Sequence, residues 1–271
     1  MSLLSPTYHA LLREAAFTKQ MLGAGATYIY AANYAFHGMY FQAFSSLSVG
    51  LERLGKLCVM LDHAIDNNGV FPTDAQMKGV GHDLTVLYSR SQSIKANRGL
   101  NFKFLQHLSD PIQISILQTL SSFAKGDRYA NIDLLARGKQ SKDPIEAWAR
   151  LVDAVLYREK ISSKKQASIE EKARQSSALD GCSFVFHTAE DGSPIESYGD
   201  AALRTLKHEA IAPYRQLLVL QIIRYWVELL CDLEMPARNV RPDDVPFFNE
   251  ILGSLCNSDA YIRTRKTWNK D

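Results

Sequence analysis

The chain has 271 residues, 46% hydrophobic and 22% charged, which excludes collagen-like and disordered classes and leaves enough apolar side chains for a sizeable core. Lys and Arg number 31 against 29 Asp and Glu, a formal charge of +2, so no strong field covers the surface and any nucleic-acid contact needs a local patch. Cys58, Cys182, Cys231 and Cys256 form no CxxC pair, which excludes a zinc knuckle and a dense disulfide framework and fits a reducing cytoplasm. Met1 to His9 lacks the basic and apolar regions of a signal peptide. The apolar stretch Leu22 to Phe44 is interrupted by Asn33, His37 and Gln42 and reads as buried core, not as a membrane span.

Helical spacing predicts a first helix from Tyr8 to about Leu22, ending at Gly23 or Gly25. From Ala26 to Asp66 the chain is almost free of helix breakers. Phe41, Phe44, Leu47, Leu51, Leu54, Cys58, Leu61 and Ile65 step by three or four residues, the strongest amphipathic pattern in the sequence. Gly69 and Pro72 close that helix, and Thr73 or Asp74 caps the next. At about 100° per residue, Val80, Leu84, Leu87, Ser91 and Ile94 then share one arc, with Lys78, His82, Thr85 and Ser89 pointing roughly the other way. Asp110-Pro111 and Asp143-Pro144 each place an N-cap before Pro at the first helical position, starting helices to Ala124 and through Leu156. Ser162 to Ser177 is polar and reads as an exposed helix or a link. Cys182 to His187 is the one clear strand, and Asp191-Gly192 offers a hairpin turn back through Ile195 to Tyr198. A long helix follows from Asp200 to Leu233, which Pro213 either kinks or divides. The expected fold is all-α with at most one small hairpin, divided into a helical bundle at residues 1–137 and a C-terminal helical lobe at 138–271.

Candidate chemistry concentrates between Phe41 and Arg90. Gly50 to Lys56 has most of a phosphate-loop pattern, but Leu57 occupies the Ser/Thr position and no strand precedes it, so that reading is rejected. Glu52 and Lys56 are one turn apart, the spacing of a surface ion pair. His82, opposite the apolar arc with Lys78 one turn earlier, has two readings: part of a solvated or capping face, or a proton acceptor beside a cation that stabilises an anionic phosphorane. The second reading describes RNA cleavage through the 2′-hydroxyl, with no metal required. The other histidines form no HxxxH or HExxH pair, and no nucleophile elbow or dinucleotide fingerprint appears, so no metal or cofactor is expected. Arg128, in the polar cluster Asp127 to Asp133, is either a phosphate contact or part of a helix-start network. The basic end with Trp268 is either a nucleic-acid contact or a frayed terminus.

The face Glu52, Arg53, Lys56, followed after a loop by Gly81, His82, Asp83, Leu84 and Leu87, resembles the HEPN superfamily over Ala26 to Ile132. The resemblance implies an HEPN-like helical core. Many members are metal-independent endoribonucleases of bacterial defence or toxin–antitoxin systems, often homodimeric with the active face at the subunit junction. Others are silent modules that bind a nucleotide, an RNA or a protein partner. It assigns His82 to acid–base work, Lys78 and Arg53 to phosphate and Glu52 to orientation, with Lys56, Asp83 and Arg128 toward substrate. Catalytic members carry Arg upstream of the His; this chain has Lys78, a point charge without a bidentate fork. Arg204 to His208 has a similarly short spacing in another region.

Overall fold

A computed structural model of the protein describes residues 5–136, 142–179 and 184–269. It is 76% helical, and among the described residues there is a single two-stranded sheet, so the all-α class with a small hairpin is what the chain forms. Among the described residues, no helix is long and apolar enough to cross a membrane.

Helix α1 spans Pro6–Ala31 and α2 spans His37–Asp66, antiparallel across a short turn. Gly23 and Gly25 do not end α1, contrary to the sequence expectation. Both lie inside it because other parts of the chain press against their bare Cα atoms. A Cβ on Gly25 would lie 2.5 Å from Leu47 Cγ, and one on Gly23 would collide with the Trp268 carbonyl. Gly50 of α2 faces Leu22 in the same way, at 2.8 Å from its Cδ2. The helix cost of glycine, about 1 kcal/mol each relative to Ala, is offset by this close approach.

The single helix expected after Pro72 is two. Thr73 and Gln76 form a capping box that starts α3, Asp74–Val80; Gly81 then takes φ +75°, and Asp83 caps α4, Leu84–Asn97. A left-handed residue is cheap only for glycine, so the chain turns there and His82 sits in the break instead of on a helical face. Lys78 and His82 therefore do not share one face.

Helix α5 (Pro111–Lys125) starts at Asp110 as its cap predicts. A 3-10 turn (Asp127–Tyr129) leads into α6 (Ala130–Leu135). Helices α7 (Pro144–Trp148) and α8 (Ala154–Lys160) are joined by a π-helical turn, Ala149–Asp153. The polar segment after Ser162 is a helix, α9 (Ser163–Leu179). Strands β1 (Phe184–Thr188) and β2 (Pro194–Ser197) pair antiparallel around a turn with Gly192 at φ +81°. Two positions of the expected strand, Cys182 and Ser183, lie outside the described residues.

Helix α10 runs from Tyr198 to Val240, past both Pro213 and Pro236. Between Leu217 and Leu233 it is buried almost all round, as an unbroken apolar run in a long helix requires. It packs on α1, α2, α4, α5, α8 and α9, so one hydrophobic cluster extends from Leu11 to Trp268. Short helices α11 (Phe248–Leu252) and α12 (Asp259–Thr264) complete the chain. The chain is packed as far as Trp268, which is buried and whose backbone N–H donates to Thr27 Oγ1 at 2.9 Å; Lys270 lies outside the described residues.

Candidate active site

Glu52 lies near the middle of α2, where Leu51, Leu54 and Leu57 face the core and turn Glu52, Arg53 and Lys56 toward the surface. The Gly81 break brings His82 back onto this helix. His82 Nδ1 lies 2.8 Å from Glu52 Oε1, and Lys56 Nζ donates to the same oxygen at 2.7 Å. A carboxylate only accepts, so in the neutral ring the proton sits on Nδ1 and Nε2 carries the free lone pair. The His82 side chain is 71% exposed while Glu52 is 19% exposed, so the orienting group is fixed and the imidazole is open to a ligand.

The other predicted site residues are placed differently. Arg53 donates to Glu14 of α1 at 2.6 Å and lies over the Phe17 ring. Lys78 pairs with Asp74 in an exposed one-turn bridge. Arg128 stacks on Tyr129, in the 3-10 turn after α5. Asp83 serves structure: it accepts from Thr85 N at 2.9 Å, Thr85 Oγ1 at 2.6 Å, Ser121 Oγ at 3.0 Å, and Lys125. These contacts hold the break in place and tie α4 to α5.

Partial burial alone would raise the Asp83 carboxyl, but donation from Lys125, Thr85 and Ser121 outweighs it and holds the group well below the usual carboxylate range. A carboxyl depressed in the folded state adds stability above its unfolded pKa of about 3.9, and that stability is lost as pH falls through the folded value. Asp83→Asn is therefore expected to lower the urea midpoint near neutral pH, with the gap to wild type closing below about pH 4. A gap independent of pH would remove the charge from this account.

A cleft of about 750 Å³ opens beside these residues between α1, α2 and α3. Glu14, Glu52, Arg53 and Lys56 line it together with Leu11, Leu57, Met60, Phe71 and Met77. Lys78, His82, Asp83 and Arg128 are not among its lining residues, so His82 meets the cleft only through its contact with Glu52. Among the described residues, no three His, Cys, Asp or Glu side chains converge to hold a metal ion.

A second concentration of charge lies inside the bundle and was not singled out from the sequence. Arg215 of α10, fully buried, donates to the Asp153 carboxylate at 2.9 Å and to the carbonyls of Ile29 and Ala32 at 3.0 and 2.9 Å. Asp153 also accepts from Trp148 Nε1 at 2.9 Å and from the Tyr40 hydroxyl at 3.2 Å. The π turn makes this possible, because residues five apart come to lie on one side of a wider helix. His208 Nδ1 lies 3.0 Å from Arg215 Nη2, and its Nε2 meets Glu190 of the hairpin turn, which Arg204 also approaches at 3.4 Å. The Arg204 to His208 spacing thus fastens the hairpin to α10. Its only advance signal was that charged residues interrupt an apolar helix.

Compared with protein families, curated proteins and solved structures, the chain matches no family model, no curated protein and no solved structure.

Proposed function

We propose that the protein is an RNA-directed, metal-independent endoribonuclease of the HEPN kind, of the type used in bacterial defence or toxin–antitoxin systems. The observation that carries the reading is the shared Glu52 oxygen, which holds His82 and Lys56 together, with Glu52 and Lys56 lining the cleft and His82 beside it. His82 Nε2 removes the proton of a ribose 2′-hydroxyl, and the 2′-oxygen attacks the adjacent phosphorus. The P–O5′ bond breaks as Lys56 gives a proton to the departing 5′-oxygen, leaving a 2′,3′-cyclic phosphate and a 5′-hydroxyl. Solvent then returns His82 and Lys56 to their starting protonation states. Lys56 and Arg53 offset charge on the phosphorane, and Glu52 is a positioning residue that keeps the ring in the tautomer with Nε2 free.

One observation favours a second reading, a catalytically silent HEPN-like module that binds a nucleotide, an RNA or a protein partner. The cation preceding His82, Lys78, is engaged by Asp74 in the exposed pair and not by the cleft. The two readings separate in one assay: purified protein is incubated with RNA in the presence of a chelator and the product ends are analysed. Cyclic-phosphate ends are expected. Binding that weakens with salt, without cleavage, would favour the silent module.

A further inference from the structure

The cleft beside Glu52 changes character along its length, and its two ends call for different halves of one ligand. On α2 the lining runs from Glu52 and Arg53 through Lys56 to Leu57 and Met60, about 12 Å at about 1.5 Å per residue. The far end is walled by Leu11, Leu57, Met60, Phe71 and Met77, where Thr7 brings the one hydroxyl. Arg241 lies 6.0 Å from the centre of the Phe71 ring, so this ring is a wall and not a stacking platform. The near end is ionic, and its donors are underused. Among the described residues Arg53 donates one hydrogen bond, to Glu14, although its guanidinium carries five N–H groups. Lys56 donates one, to Glu52, although its ammonium carries three. Glu52 Oε1, by contrast, already serves both Lys56 and His82.

We propose that the cleft binds a free medium-chain carboxylic acid as its anion, with the hydrocarbon tail beside Met60 and Met77 and the carboxylate taking N–H groups of Arg53 and Lys56. A volume near 750 Å³ lies within about 300–1,000 Å³, the usual range for small-ligand sites with apolar walls and few polar groups. An apolar end with one hydroxyl favours a tail without polar atoms of its own, because a buried polar group without a partner is costly. Methionine side chains are flexible, which suits an unbranched chain. The head is an acceptor, since the spare hydrogen-bonding capacity at the mouth lies on donors, and a carboxylate matches the planar fork of Arg53. Binding reaches His82 through Glu52. A carboxylate that draws Lys56 toward itself takes one of the two donors from Glu52 Oε1 and changes the contact that orients the imidazole. One further consequence rests on the ribonuclease reading: the acid inhibits cleavage, because Lys56 is the group that protonates the leaving oxygen.

The test is calorimetric titration of the wild-type protein with hexanoate, octanoate and decanoate, and with 1-octanol and octylammonium as head-group controls. Affinity is expected to rise about fourfold per added CH₂, the factor for burying one methylene. Octanoate is expected to bind at least about tenfold more tightly than either control, the factor for a hydrogen bond to a charged group. Arg53→Met should weaken octanoate by the same factor. Ala10 is exposed on α1, so in Ala10→Phe the added ring fills the cleft without removing a core contact, and binding should be lost. Octanoate should also shift the NMR signals of the His82 ring nitrogens; binding that leaves them unmoved overturns the link to Glu52. Octylammonium bound as tightly as octanoate, affinity independent of chain length, or unchanged affinity in both variants overturns the site. So does the absence of binding, and self-association that Ala10→Phe abolishes would then assign the cleft to a second copy of the chain. RNA cleavage that octanoate does not slow overturns the inhibition. If no RNA is cleaved under any condition, the ribonuclease reading fails, and the titrations decide the acid site by themselves.

Discussion

The Asp153→Ala variant is expected to lose about 3–5 kcal/mol of folding stability, read from the urea midpoint and slope. The carboxylate is the only acidic partner of the Arg215 guanidinium at hydrogen-bond distance among the described residues. Removing it leaves a full positive charge buried among helices, with two backbone carbonyls and a histidine as its remaining neighbours. Trp148 and Tyr40 lose their acceptor in the same step, and a buried polar group without a partner costs about 1–3 kcal/mol. Asp153→Asn keeps the shape and one oxygen acceptor and should fall between the two. Lys78→Ala is the control, because its bridge to Asp74 is exposed and exposed bridges contribute little. An Asp153→Ala midpoint equal to that of the control would show that the network does not hold the bundle.

The second large effect is on catalysis. His82→Ala is expected to reduce RNA cleavage by about 10²–10⁴-fold, the usual contribution of a positioned acid–base group. Its unfolding midpoint should stay at the wild-type value, since 71% of the side chain is exposed. Glu52→Gln tests the positioning role. The amide oxygen can still accept from Nδ1–H but the amide can also turn its NH2 toward the ring, so cleavage should fall less than in His82→Ala, with the loss in kcat and not in KM. A His82→Ala protein that cleaves as fast as wild type would end the enzymatic reading.

Much of the helical frame was legible because its signals are local. Asp110-Pro111 and Asp143-Pro144 start helices where their cap chemistry places them, and the apolar steps from Phe41 to Ile65 trace the buried side of α2. The errors arose where the deciding contact is remote. Gly23 and Gly25 looked like a helix end, yet their purpose is set by Trp268 and Leu47. The turn at Gly81 was masked because Val80, Leu84 and Leu87 keep helical spacing across it. That turn decides the site, since it carries His82 to Glu52 and leaves Lys78 behind. The pairing of Glu52 with Lys56 was visible from their spacing, whereas the burial of Arg215 and Asp153 was not. Charged residues in helical patterns usually face water, and only the central position of α10 puts these inside.

The central position of α10 also bears on how the chain matures during synthesis. Cys58 of α2 donates to the Trp226 carbonyl across 168 residues of sequence. At about 5–20 residues per second, α2 leaves the ribosome about 8–34 s before its central partner exists. For that interval the apolar stripe from Phe44 to Leu61 has α1, α4 and α5, with Trp148 of α7 at Phe44, to cover it. A chain ending before Leu217 would therefore leave the α10-facing side of α2 open to water.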